Sequence, residues 1–328
     1  MTILAPDLIG DIGGTNARFA LVRSPGAPFS DVLTLACADH ETLAAAIRHY
    51  MAQVGASRLR HAAIGIANPV TSDQVSMTNH HWSFSIEALR ATLDLEQLRV
   101  LNDFTMLALA LPTLTVAERE QIGEGSPDPQ APRALIGAGT GLGISGLVPC
   151  AGDFIPLNGE GGHVTLAAAD SREAEIVALL GQRFAHVSAE RVLSGPGLEA
   201  LYEAVTRRHG AATKALSAAA ISRRGLDGSC AYCAESLEIF CAMLGTVAAN
   251  LALVLGARGG VYIGGGIVPK LGGYFARSPF RARFEQKGRF SDYLAQIPTY
   301  VIRAPYPGLA GAARALARDA PGVVAKAH

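Results

Sequence analysis

Six short stretches of this 328-residue chain carry residues whose types and spacing could do chemistry. In "LIGDIGGTNARFALV" (Leu8 to Val22) an apolar run breaks at Asp11, bends through Gly13 and Gly14, shows Thr15 and Asn16, and turns apolar again. "LRVLNDF" ends an apolar run on Asn102-Asp103. "NGEGGHV" sets Glu160 and His163 three residues apart among glycines, and "VSAERVL" carries Glu190. Two more glycine clusters follow apolar runs: "ALIGAGTGLGISGLV" (Ala134 to Val148) and "VYIGGGIVP" (Val261 to Pro269).

Backbone N–H groups at a turn without side chains can come close to phosphate oxygens and donate to them. Two such turns facing each other would hold a polyphosphate from both sides. The candidate cradle is Gly10, Asp11, Ile12, Gly13, Gly14, Thr15 and Asn16 in the first turn, Gly139, Thr140 and Gly141 in the second, and Gly265 in the third. Asp11 would hold a Mg²⁺ directly or through water, since that ion favours one or two carboxylates plus phosphate oxygens. Any one of these turns alone reads as a tight hairpin; three together favour phosphate. No G-x-x-x-x-G-K-[ST] is present, and "GAGTGLG" has Leu142 where a dinucleotide fingerprint needs its third glycine.

The polar side chains are ambiguous one at a time. Asn102-Asp103 before "FTMLALAL" reads alone as a helix N-cap. His163 alone is a packed histidine, and Glu190 a charge in the first turn of a helix. A Glu-x-x-His metal pair is disfavoured, because the glycines between the two residues oppose the helix that would aim both at one ion.

The elements that must position these residues alternate in type. "LIGDIGGTNARFALV" predicts two strands joined by a turn. "DHETLAAAIRHYMAQVG" predicts a helix capped by Asp39 and stopped by Gly55, with Leu43, Ile47, Tyr50, Met51 and Val54 on one face. "HAAIGIANPV" and "LRVLNDF" read as buried strands and "SIEALRATLDL" as a second helix, so the sheet is partly parallel and the class α/β. The opening pattern recurs from Ala134, which indicates an internal duplication in which Ala138 stands where Asp11 stood. A small α/β domain is expected over residues 1–106, completed by a C-terminal helix at 306–320, and a larger α/β domain over 107–305.

Composition narrows the function. Lys plus Arg and Asp plus Glu number 28 each, and this neutrality argues against a nucleic-acid partner. Apolar residues make up 49 %, enough for large cores. Five scattered cysteines fit a reducing cytoplasm, and Cys230-x-x-Cys233 is expected to be structural or incidental, since no second ligand pair follows it. No signal peptide is expected before the first strand, since the positive-then-apolar run of one is not seen there, and Cys241 to Ala257 is expected to be a buried core helix and not a membrane span. "FRARFEQKGRF" (Phe280 to Phe290) is expected to be a solvated face.

Taken in order, "GDIGGTNARFAL", "NDF", "GAGTGLG", "NGEGGHV", "SAERVLSGPG" and "GGGIVP" resemble the bacterial glucokinase family, within the sugar kinase, Hsp70 and actin superfamily of ribonuclease-H-like ATPases. The resemblance runs from Leu8 to Gly311. It implies a two-lobed actin-like ATPase fold with an internal duplication and a cleft between lobes. It also implies ATP with Mg²⁺, glucose as acceptor, transfer to the 6-hydroxyl, a homodimer and a cytoplasmic enzyme with no membrane partner. Asp103 would be the base toward the 6-hydroxyl, and Asn102, Asp103, Glu160, His163 and Glu190 the sugar binders. An ordinary Asp, with a pKa of about 3.9, is ionised at neutral pH. Asn79 carries less weight as a sugar contact, Asn68 is left out of the catalytic set, and His80, His81 and Trp82 read as local packing.

Three alternatives remain at this point. A kinase of the same build could act on mannose, fructose or N-acetylmannosamine. A non-catalytic sugar sensor would want a DNA-binding module, and ten residues precede Asp11. An actin-like or Hsp70-like ATPase would have no use for Asp103 together with Glu160 and His163.

Overall fold

The computed structural model describes residues 5–24, 26–78, 80–212 and 214–317. The chain divides into two compact units. The first holds the chain through Leu114, Cys150–Asn158 and the stretch from Ala304; the second holds Thr115–Pro149 and Gly159–Arg303.

In the first unit β1 (Asp7–Ile12) and β2 (Asn16–Val22) form an antiparallel hairpin, and β3 (Ser30–Ala36) follows. The helix α1 (Leu43–Val54) leads to β4 (His61–Ile66), the short pair β5 (Gln74–Ser76) and β6 (Ser83–Ser85), α2 (Ile86–Thr92), β7 (Gln97–Asn102) and α3 (Asp103–Ala110). The sheet order is β3-β2-β1-β4-β7, with β1, β4 and β7 parallel. Its strands are nearly continuous apolar runs because helices cover them: Leu8, Ile12 and Phe19 pack in one cluster with Ile47 and Tyr50 of α1. Thr42 caps α1, accepting from Ala45 N at 3.1 Å. Asp39, the residue expected there, is used up in a preceding 3₁₀ turn, Cys37–Asp39. Gly55 ends α1 at φ 68, the left-handed geometry glycine adopts freely.

Two later pieces complete this unit, β11 (Asp153–Pro156) and α12 (Pro307–Ala317). The helix α12 packs on α3, β4 and β1. Residues 318–320 of the expected C-terminal helix lie outside the described residues.

The second unit repeats the plan. Between β8 (Arg119–Ile122) and the helices, β9 (Arg133–Ala138) and β10 (Leu142–Cys150) form another antiparallel hairpin. Four helices follow, α4 (Ser171–Gly181), α5 (Gly195–Arg208), α6 (Ala218–Leu226) and α7 (Ala231–Leu255). Then come β12 (Val261–Gly264), α8 (Val268–Leu271), α9 (Gly273–Arg277), α10 (Phe280–Glu285), α11 (Ser291–Ala295) and β13 (Thr299–Ile302). The order β10-β9-β12-β13 matches β2-β1-β4-β7, a hairpin extended by two parallel strands, as a duplication requires. The helix α7 is long and apolar enough to cross a membrane by length and composition, but most of it is buried in the core of this unit.

The stretch Phe280 to Phe290 departs from expectation. Phe280, Arg281 and Phe284 are buried, because Gly245 of α7 leaves the space that lets α10 lie against it. Arg281 meets its burial by donating to the carbonyls of Ile297 and Ala295, each at 2.8 Å. Arg283 pairs with the fully buried Glu173 at 2.5 Å. Charges spaced through this segment suggested solvent; two of its arginines instead satisfy buried acceptors.

Gly311 lets α12 lie close against α3: a Cβ there would run into the Met106 carbonyl. Replacing Gly311 by Ala is expected to destabilise this unit by about 1–3 kcal/mol, the usual cost of overpacking. Gly181→Ala, with nothing within 4 Å of its Cβ, is expected to leave stability unchanged or raise it. Trp82, the chain's single tryptophan, is buried in this unit while Gly181 belongs to the other, so urea unfolding followed both by Trp82 fluorescence and by far-UV circular dichroism reads the comparison. Equal midpoints for the two variants would contradict this account.

Candidate active site

Asp11 sits near the end of β1, directly opposite Arg18 of β2. Arg18 Nη1 approaches Asp11 Oδ2 at 3.4 Å, and both side chains are 32 % exposed. Arg18 also lies over the Tyr306 ring, 5.4 Å from its centroid. From α12, Gly308 lies against the carboxylate so closely that a Cβ would come within 2.9 Å of Asp11 Cγ. Burial pushes the Asp11 carboxyl above the usual carboxylate range, and the Arg18 guanidinium opposes that shift. A carboxylate stripped of part of its water, beside a turn of bare amides, suits a divalent cation that brings its own water and phosphate ligands.

The turn between β1 and β2 is Gly13, Gly14 and Thr15, closed by Gly13 N donating to Asn16 O at 2.9 Å. Thr15 and Asn16 are exposed at its tip. Gly10 and Ile12 belong to the core of β1: Ile12 is fully buried, and Gly10 leaves room for Phe19, which would lie 3.3 Å from a Cβ. Their side-chain positions face the core, and only their backbone is near the turn.

The turn Gly139, Thr140 and Gly141 in the second unit is one residue tighter, Ala138 facing Leu142 where Ile12 faces Ala17, and Gly139 N donates to Gly141 O at 2.8 Å. It is braced twice. Gly195 N, at the start of α5, donates to Gly139 O at 2.8 Å, and Leu142 N donates to Glu190 Oε2 at 2.9 Å. A Cβ on Gly141 would lie 2.5 Å from that same oxygen, so glycine is what allows the carboxylate to reach the turn.

Gly139 and Thr140 line an open pocket of about 910 Å³. Gly266 and Ile267 line it too, after β12, with Ile267 N donating to Ala138 O at 3.1 Å. Gly265 does not line it; at φ 78 it makes the turn over the Ala138 backbone that places its two successors there. The remaining wall is Leu198 of α5, α6 with Arg223, its end at Asp227, and Lys270 of α8. Sequence reading passed over α6 and Lys270. The usable signal was "SAAAISRRGLDG", an N-capping Ser217, small residues on one side and paired arginines on the other.

Glu160, His163 and Glu190 are brought together within the second unit. Thr165 pairs with Ser188, and Ala189 N donates to Val164 O at 2.9 Å, which ties the two loops side by side. Glu160 and His163 are open to solvent, Nε2 to Oε2 being 4.0 Å. The glycines between them are packing requirements: a Cβ on Gly161 would strike Ile144, and one on Gly162 the Leu142 carbonyl. Among the described residues no group of three His, Cys, Asp or Glu side chains could hold a metal ion.

Asn102 and Asp103 divide the work that either alone might have done. Asn102 is the N-cap, its Oδ1 accepting from Phe104 N at 3.0 Å and Thr105 N at 3.1 Å. Its Nδ2 donates to Asp103 Oδ1 at 3.0 Å, and Phe104 N donates to the same oxygen at 2.9 Å. Asp103 is therefore the first residue of α3, with its carboxylate oriented by one side chain and one amide. Gly65 of β4 lets this turn settle, since a Cβ there would be 3.1 Å from Met106 Cβ. Asn68 holds its own loop by accepting from Thr78 N at 2.9 Å, and Trp82 Nε1 donates to His40 O at 2.9 Å, local packing as expected. Asn79 lies outside the described residues.

A sequence profile for glucokinase matches residues 8–319. The chain belongs to the glucokinase family. A glucokinase of Aromatoleum aromaticum is 62 % identical over 312 residues, covering 95 % of this chain and 94 % of that one. Among solved structures, a glucokinase from an Antarctic psychrotroph is 38 % identical with a TM-score of 0.87, over 95 % of this chain and 99 % of its own. A glucokinase from Balamuthia mandrillaris in complex with glucose aligns over 96 % and 94 % with a TM-score of 0.80; at 21 % identity it speaks to fold alone. The two duplicated α/β units are thus the actin-like ATPase fold of glucokinases.

Because burial raises the Asp11 carboxyl, its ionised form works against folding at neutral pH and ceases to as pH falls through the raised value. Asp11→Asn is expected to raise the melting temperature of the ligand-free protein near neutrality. The gain should shrink toward acidic pH, where the folded carboxyl is protonated. A variant that melts lower than the parent at pH 7 would contradict the assignment.

Proposed function

We propose that this protein transfers the γ-phosphoryl group of ATP to the 6-hydroxyl of glucose, giving glucose 6-phosphate and ADP. The observation that carries this reading is the match to glucokinases along nearly the whole chain, joined to an Asp103 carboxylate that Asn102 and the Phe104 amide hold in place. Phosphoryl transfer asks for position and charge more than for a strong base. An oriented, weakly basic aspartate suits the removal of one hydroxyl proton.

The glycine turns at 13–14 and 139–141 offer backbone amides to the phosphates, and the 910 Å³ pocket beside Gly266 and Ile267 suits the adenosine. Arg223 and Lys270 supply its positive charge. Asp11 would hold Mg²⁺, which when bound neutralises charge building on the phosphates. Glu160, His163 and Glu190, with Asn102, suit a ring of hydroxyls, each offering directed acceptors or donors. Glu190 already spends Oε2 on Leu142 N, which leaves Oε1 for sugar. Thr15 and Asn16 add a hydroxyl and an amide near the phosphates. A homodimer working in the cytoplasm completes the proposal, on the strength of the family resemblance.

ADP release from Mg-ATP is the direct test. Glucose is expected to stimulate it strongly, and mannose, fructose and N-acetylmannosamine less. Asp103→Asn should lower kcat about 10²–10⁴-fold, the usual worth of general-base help, with little change in the KM for glucose. Asparagine remains compatible with the helix start, so Trp82 fluorescence should be unchanged. A folded protein that binds ATP yet gains nothing from glucose would overturn the assignment.

A further inference from the structure

The catalytic reading makes no use of the pair of thiols at the start of α7. Cys230 is the residue that precedes its first turn, and Cys233 lies in that turn, fully buried while Cys230 is half-buried. The two thiols belong to one turn at the start of the helix, and both are free. Two cysteines at a cap and three residues on are near enough in any helix start to be joined across one turn. Their surroundings separate their chemistry. Partial burial works to raise the Cys230 thiol, but the Cys233 and Tyr232 amides, the Cys233 thiol and the Arg224 guanidinium bring it below the usual range. Burial, helped by the Cys230 partner, pushes Cys233 up to about 12. One half-buried, more easily ionised sulfur beside one fully buried, protonated sulfur is the arrangement of an attacking and a resolving thiol.

What this turn supports is the wall of the pocket. Ala218, Ala219, Ser222, Arg223 and Leu226 of α6 line the cavity. The other side of α6 leans on α7, where a Cβ at Gly225 would come 2.9 Å from the Cys233 carbonyl oxygen and 2.7 Å from Leu237 Cδ1. Cys230 N in turn donates to Arg224 O at 3.3 Å. The seat of α6 is therefore the same backbone turn that carries the two thiols.

We propose that Cys230 and Cys233 are a dithiol switch, oxidised by a low-molecular-weight disulfide to a bond within the first turn of α7 that loosens α6 at the pocket wall. In the first step the Cys230 thiolate attacks one sulfur of the oxidant, forming a mixed disulfide and releasing one small thiol. Cys233 then gives up its proton and attacks the Cys230 sulfur, expelling the second small thiol. The protein loses two hydrogens and two electrons, and the oxidant is reduced to two thiols. The effect on nucleotide rests on the pocket being the adenosine site.

The test incubates the whole purified protein with glutathione disulfide and follows intact mass, peptide mapping and amide hydrogen exchange. A mass lower by two hydrogens, mapped to the peptide holding Cys230 and Cys233 and reversed by dithiothreitol, is expected. Residues 218–227 should then exchange several-fold faster than in the reduced protein. Cys230→Ser, which puts a favoured capping residue at that position, should fold and show neither change. A lasting glutathione adduct on Cys230 with Cys233 still free, no reaction at either thiol, or unchanged exchange across α6 would each overturn the switch. In kinetics the oxidised protein should show a several-fold higher KM for ATP at an unchanged KM for glucose. Faster exchange in α6 without that rise would overturn the nucleotide assignment of the pocket and leave the switch standing.

Discussion

Gly311 of α12 lies against the Met106 carbonyl of α3 with no room for a side chain between them, and one turn earlier Gly308 lies against the Asp11 carboxylate. Those two contacts set the first unit. They fix α3, whose first residue is Asp103, relative to β1, whose end carries Asp11, through a helix that brings nothing but backbone to either contact. Gly65 serves the same purpose from β4, under the first turn of α3. Asp11 and Asp103 are thus placed by close approach of bare backbone: at Gly311 backbone meets backbone, with no rotamer to change on either side, and at Gly308 and Gly65 the glycine makes room for the Asp11 and Met106 side chains.

The duplicated halves use one plan for different ends. Each begins with a hairpin whose turn is rich in glycine, and each extends it with two parallel strands. In the first the strand ends on a carboxylate opposed by Arg18; in the second Ala138 stands in its place, and the carboxylate near the turn, Glu190, arrives from a loop and accepts from Leu142 N. The fold therefore keeps the amide-lined turn twice, while charge is placed once on the strand and once beside it. The relevant glycines differ accordingly: Gly141 makes room for a carboxylate, and Gly265 for a peptide plane.

What sequence could show followed from short-range rules. The hairpins, the alternation of strands and helices, the stop of α1 at Gly55 and the burial of α7 all depend on neighbours within a few residues, and each was readable. The cap of α1 was misplaced because Asp39 and Thr42 are both good caps, and only the 3₁₀ turn at Cys37–Asp39 decides between them. The segment Phe280 to Phe290 misled because arginines that satisfy buried carbonyls and a buried glutamate look, in one dimension, like arginines in water. At the candidate site, Asp103, Glu160, His163 and Glu190 were singled out through their motifs. The wall supplied by α6 was not, since its contribution is shape, and shape comes from a distant helix on which Gly225 rests.

The first unit is also discontinuous in time. Its sheet and α3 leave the ribosome first, but α12 begins only at Pro307, after the second unit has been made. From Leu114 to Ala304, at roughly 5–20 residues per second, the nascent chain spends about ten to forty seconds with α3 lacking its covering helix. Residues 105–110 of that helix, all buried in the finished protein, are exposed during this interval. The helix made last is therefore the one that closes a unit whose other parts are made first, and the two glycines that let it do so sit among the final residues of the fold.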